Sequence, residues 1–151
     1  MHGSYIRFGL TIAISTIVMY ALMFLNVWSS DHIFWSQTRA WMALIMGATM
    51  AVIMLLSMWK MYPRTGLNVA IFMVSALLFG GSLYMVRSQV AVDDVSWMRA
   101  MIPHHSIAIL TSERAKIQDP RVRHLADGII ETQKREIGEM QNLIAEMRPG
   151  R

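Results

Sequence analysis

The chain contains no cysteine among its 151 residues. Disulfides and thiolate metal ligands are therefore excluded, and any soft-metal site must use methionine sulfur and histidine nitrogen. Acidic residues are almost missing from the first 87 positions, where Asp31 stands alone against Arg7, Arg39, Lys60, Arg64 and Arg87. No charge at all falls within Phe8 to Trp28, Ala40 to Trp59 or Leu67 to Val86, which argues against an intramembrane proton relay or ion path. There is no glycine-rich phosphate loop, no nucleophile beside a base, and no Glu-x-x-His pair for a carboxylate-bridged di-iron bundle. The chain reads as a protein that is not an enzyme.

What is present divides into two materials. Each of the three uncharged runs has about 20 residues, enough at about 1.5 Å per residue to cross a hydrocarbon layer of about 30 Å. They predict three transmembrane helices over about 8–28, 40–59 and 67–86, forming a membrane domain of residues 1–87. Tyr5, Trp28, Trp35, Trp41, Trp59, Tyr62 and Tyr84 stand near their ends, where amphipathic rings prefer the interface. No small-x-small cleavage pattern follows the first run, so it is read as a permanent anchor. Met42, Met46, Met50, Met54 and Met58 recur every fourth residue, but such steps wrap around a helix. They read as flexible packing, not as a metal relay.

The net excess of four positive charges belongs to this membrane half, because residues 88–151 carry nine basic and nine acidic side chains. A balanced polar half has no stripe for counterion release and excludes nucleic acid as a partner. Arg7, Lys60 and Arg64 fall on one side of the three spans. The positive-inside rule therefore places the N-terminus in the cytoplasm and the C-terminal half outside it.

That second half, residues 88–151, predicts an antiparallel helical hairpin. Asp93 and Asp94 are capping candidates for a helix over about 93–116, and Asp119-Pro120 opens another over about 120–148 that stops at Pro149-Gly150. Val95, Met98, Ile102, His105, Ile109 and Ser112 form one helical seam. Val122, Leu125, Ile129, Gln133, Ile137, Met140, Ile144 and Met147 form the other. A turn near Asp119 sets Met98 level with Met140 and His105 level with Gln133. Met98, Met101 and His105 then converge on one side, and Pro103 inside the helix predicts a kink beside His104. Thioethers and imidazoles at this spacing suit Cu(I) or Ag(I). The structural alternative is a bent core helix whose histidines bond to Gln133 or Glu136. His2, His32 and His124 read as solvated.

The stretch Asp94 to Gln141 resembles the bacterial domain-of-unknown-function family 305. The likeness rests on Trp97 followed by Met101-Ile102-Pro103-His104-His105, on Leu125-Ala126-Asp127-Gly128-Ile129-Ile130, and on Glu136-Ile137-Gly138-Glu139-Met140. It covers about a third of the chain and leaves out the three spans. The resemblance implies a ferritin-like helical bundle and, for some relatives, periplasmic copper or silver binding. Its ligand positions fall here on Met98, Met101, His104, His105 and Met140. Thr111 departs from the pattern, standing where relatives often carry methionine.

A hairpin of two helices buries little apolar surface, so a homodimer completing a four-helix bundle is expected. Two readings follow. One is a protein of the bacterial inner membrane that sequesters, tolerates or hands over copper or silver outside the cytoplasm. The other is a membrane-anchored structural or interaction module without a metal role.

Overall fold

The computed structural model describes residues 2–147. The expected stop at Pro149-Gly150 and the side chain of His2 lie outside what is described. Among the described residues every regular element is helical: α1 His2–Leu22, α2 Gln37–Ser57, α3 Thr65–Ser88, α4 Asp94–Arg114 and α5 Pro120–Glu146. Two single 3-10 turns, Ser30–His32 and Trp59–Met61, punctuate the connections.

The helices fall into two compact units. One comprises the described residues up to Met23 together with Thr38–Ala91, and the other comprises Phe24–Gln37 together with the described residues from Val92 onward. The first loop thus packs with the hairpin, whereas the sequence alone groups it with the membrane half.

In the first unit α1, α2 and α3 contain three stretches, Ser4–Leu22, Gln37–Ser57 and Thr65–Ser88, long and apolar enough to cross a membrane. The first run is displaced from its expected bounds. Helix α1 ends at Leu22, and Phe24 to Trp28, expected as the end of a span, leave the helix. The apolar character of Phe24, Leu25 and Val27 concealed this boundary, which has no proline or glycine to mark it.

Phe8, Ala51, Leu55 and Tyr62 form the buried centre of this unit, with Ile12, Met54, Met58, Ile71 and Phe72 against it. Helix α2 meets α1 at Gly47, where an added Cβ would collide with the Thr16 hydroxyl. Asn68, only 1% exposed, ties the ends of α1 and α3 together. Its amide donates to the Tyr62 carbonyl at 2.8 Å and its oxygen accepts from the Tyr5 hydroxyl at 3.0 Å.

The second unit is built on the hairpin. Asp93 caps α4 by accepting from the Ser96 amide at 2.7 Å, and Asp119 caps α5 by accepting from the Arg121 amide at 2.8 Å. Pro120 follows at the first helical position, where its missing N–H costs nothing. Met98, Ile102 and Ile109 of α4 pack on Ile137, Met140 and Ile144 of α5. Full burial of an isoleucine such as Ile102 is worth about 1.5–3 kcal/mol.

The expected meeting of Met98 and Met140 is present in this cluster. The first half of the α5 seam is corrected by one residue: Ala126 is buried and Ile130 half-buried, while Val122, Leu125 and Ile129 are exposed. Met147, expected at the end of the seam, is exposed too.

Candidate functional site

Successive helical residues turn by about 100°, and this places three neighbouring side chains of α4 on three different faces. With Met98 marking the seam, His105 lies within roughly 20° of it, Ser106 roughly 80° to one side, and His104 roughly 120° to the other. The environments follow. His105 is half-buried against α5, Ser106 is fully buried, and His104 is exposed.

Ser106 faces the flank covered by the first loop. The Trp28 amide donates to its hydroxyl at 2.7 Å, and His32 Nδ1 lies 2.9 Å from the same oxygen. Trp28 continues the attachment by donating from its indole to Glu113 at 2.9 Å, with the Lys134 ammonium 4.7 Å above its ring. Phe34 packs against the hairpin core. His32, read from sequence as solvated, is instead buried at 6% exposure. The cause is this loop, which folds it against α4.

The opposite flank is open. Trp97, His104 and Thr111 on α4 and Leu125, Ile129 and Leu143 on α5 are all exposed there. At the edge of this flank His105 Nδ1 lies 3.3 Å from Glu136 Oε2. The two groups are close enough to attract but are not aligned as a hydrogen bond, which leaves that enclosed nitrogen without a partner. Of the two partners that the sequence offers the histidines, Gln133 and Glu136, it is Glu136, one turn beyond the Gln133 expected at the same level, that lies beside His105.

Burial holds the His105 imidazole below its ordinary pKa; Glu136 opposes that shift and His104 adds to it. A neutral ring with a free nitrogen is the form in which histidine binds metals.

The five sequence candidates therefore separate. Met101 packs half-buried at the edge of the core, His104 lies with its ring 6.0 Å from that of His105, and Met98 and Met140 are enclosed in hydrocarbon at 4% and 6% exposure. Among the described residues no three His, Asp or Glu side chains gather into a group able to hold a metal. The donor set at the turn is thus two imidazoles and a thioether, with one carboxylate beside them, a combination of soft and borderline character. Ser106 and the burial of His32 carry no motif in the sequence, whereas Glu136 is one of the two partners that the sequence offers the histidines.

Residues 88–149 match the model of a family described as Domain of unknown function (DUF305). The chain is also similar to "Uncharacterized protein L153" of Acanthamoeba polyphaga mimivirus, 41% identical over 66 residues that cover 42% of this chain and 43% of that protein. The match thus spans less than half of that relative's length. No solved structure matches the chain.

Proposed function

We propose that the hairpin binds a soft monovalent ion, Cu(I) or Ag(I), through Met101, His104 and His105, and that the three helices of the first unit hold it at a membrane. The ion is cargo for sequestration, tolerance or hand-over. The observation that carries this reading is the enclosed, unpartnered Nδ1 of His105 beside a carboxylate and one turn from Met101. A buried polar atom left unsatisfied calls for a reason, and a ligand that donates to no one is a reason.

Glu136 offsets the positive charge of the cargo without needing to ligate it. Met98 and Met140 back the turn as inner thioethers that an ion reaches only if the seam parts. Monovalent soft ions accept low coordination numbers, so a small donor set suits them where zinc would be poorly served. With the first loop and hairpin on one side, the charge bias of the short loops favours the outer face of a bacterial inner membrane for both.

Anaerobic Cu(I) titration of the full chain in detergent, against a competing chelator, tests the reading. The parent is expected to take up the ion, and a Met101→Leu, His104→Ala, His105→Ala variant to lose that uptake. Equal uptake by the two overturns it.

A second reading, a membrane-anchored interaction module, is favoured by the open apolar flank. The two readings meet if the partner is a second copy of the chain, whose own histidine turn would then lie nearby.

A further inference from the structure

We propose that the segment Phe24–Gln37 is an acid-releasable latch on the hairpin, closed by neutral His32 against Ser106. The geometry of one hydroxyl carries the argument. Ser106 is fully buried, and its oxygen already accepts the Trp28 amide hydrogen at 2.7 Å. The latch assigns the hydroxyl's own proton, which that bond leaves uncommitted, to the ring nitrogen of His32 at 2.9 Å. A hydroxyl that donates to Nδ1 needs that nitrogen unprotonated, which selects the neutral ring with its hydrogen on Nε2.

The Trp28 ring stacks on His32 with centroids 6.0 Å apart and closes that side to water. Protonation would therefore place a cation in an enclosed site and take away the acceptor that Ser106 uses.

The charged groups nearby do little to accommodate it. Asp31, on the same turn, is engaged by the Ser29 and Ser30 hydroxyls at 3.0 and 3.3 Å. From α4, Glu113 is committed to the Trp28 indole and to Lys134, and from α5, Lys134 contributes a further positive charge. Burial lowers the His32 pKa from its ordinary 6.5, and Asp31 only partly offsets this. The sign follows. A released loop takes up a proton more readily than a docked one, so docking is fully stabilised above about 6.5 and weakens as pH falls below it.

The consequence is a link between acidity and the histidine turn. Ser106 directly follows His105, so the latch braces the same turn of α4 from its other flank. The latch does not depend on metal binding and stands or falls separately from it.

The absence of cysteine gives a clean test. Ile33, half-exposed beside His32, is replaced in the full chain as Ile33→Cys, spin-labelled, and followed in lipid nanodiscs without metal from about pH 8 to about pH 5. The label is expected to be immobile at neutral pH and to gain mobility as pH falls below 6.5. Ser106→Ala is expected to free it at every pH, and His32→Asn to hold it at every pH. The midpoint of release should coincide with titration of the His32 ring, read from its Cε1 proton resonance. An immobile label throughout in the parent, or a release midpoint that departs from that of the His32 ring, overturns the latch whatever the variants do.

Discussion

His105 Nδ1 and Glu136 Oε2 lie 3.3 Å apart without forming a hydrogen bond. The attraction between them is thus charge to charge, present only when the imidazole is protonated, while burial works against that protonation. Burial dominates, so the His105 pKa lies below 6.5. The ring's contribution to hairpin stability is full above about 6.5 and is lost as pH falls below it. Two variants should move this titration in opposite directions. Glu136→Gln removes the group that favours the proton and should lower the His105 midpoint further; His104→Ala removes a group that disfavours it and should raise the midpoint. Ring proton resonances measure both, and a Glu136→Gln shift upward would contradict this electrostatic account.

Enclosure separates the methionines of the hairpin into two classes. Met98 and Met140 fill the core, so Met98→Leu and Met140→Leu conserve volume and should cost less than about 1.5 kcal/mol each while leaving Cu(I) uptake nearly intact. Met101→Leu keeps its apolar packing at the core edge but loses the accessible sulfur. It should weaken uptake by at least the roughly tenfold that even an outer partner of a metal site commands. Competition titrations on the three variants decide the matter. A larger loss from Met98→Leu than from Met101→Leu would move the site into the seam.

Sequence reasoning reached the parts of this molecule that local chemistry specifies. Asp93 and Asp119-Pro120 announce the starts of α4 and α5 because a capping oxygen serves only amides a few residues away. The level pairing of Met98 with Met140 follows from the same two starts. The first half of α5 was misread for an equally local reason. Leu125-Ala126 and Ile129-Ile130 each offer two adjacent apolar residues, and periodicity alone does not say which one faces inward. The burial of His32 was beyond reach, since it depends on Ser106, 74 residues further along the chain. No pattern in Ser30-Asp31-His32 anticipates that contact.

Within the first unit, Gly47 on α2 leaves room for the Thr16 side chain of α1. The Thr16 hydroxyl that fills the space is fixed by its 2.8 Å bond to the Ile12 carbonyl, so it cannot easily yield. Gly47→Leu should therefore destabilise the detergent-solubilised chain by about 1–3 kcal/mol, the usual cost of overpacking. Gly47→Ala should be tolerated better when combined with Thr16→Ala, which removes the colliding oxygen. Thermal unfolding of the single and double variants measures the coupling, and simple additivity would show that the two positions do not interact.

Asn68 has a different role, because it satisfies the Tyr62 carbonyl from a site that water does not reach. Asn68→Ala orphans that carbonyl and takes from the Tyr5 hydroxyl its 3.0 Å acceptor, leaving it the backbone of Arg64. The expected loss is about 1–3 kcal/mol, against about 1 kcal/mol for Tyr5→Phe, which leaves the Asn68 amide bond to Tyr62 in place. Unfolding in graded denaturing detergent should rank the parent above Tyr5→Phe and Tyr5→Phe above Asn68→Ala.

The open flank of the hairpin makes the last prediction. One flank is covered by Trp28, His32 and Phe34, so the exposed Trp97, Leu125, Ile129 and Leu143 have only the opposite side on which to find a partner. A self-complementary face is what a two-fold dimer requires. The middle of α4 coincides with His104, so a two-fold axis near that level would bring two histidine turns together. Leu125→Glu with Ile129→Glu puts carboxylates into the apolar face that such a dimer would cover. Neither residue belongs to the buried core, so the hairpin itself should lose no more than about 0.5 kcal/mol per site. Chemical crosslinking in membranes should give a dimer for the parent and monomer for the variant, with helical content by circular dichroism unchanged. Monomer alone in the parent would refute self-association, and dimer in both would place the contact elsewhere.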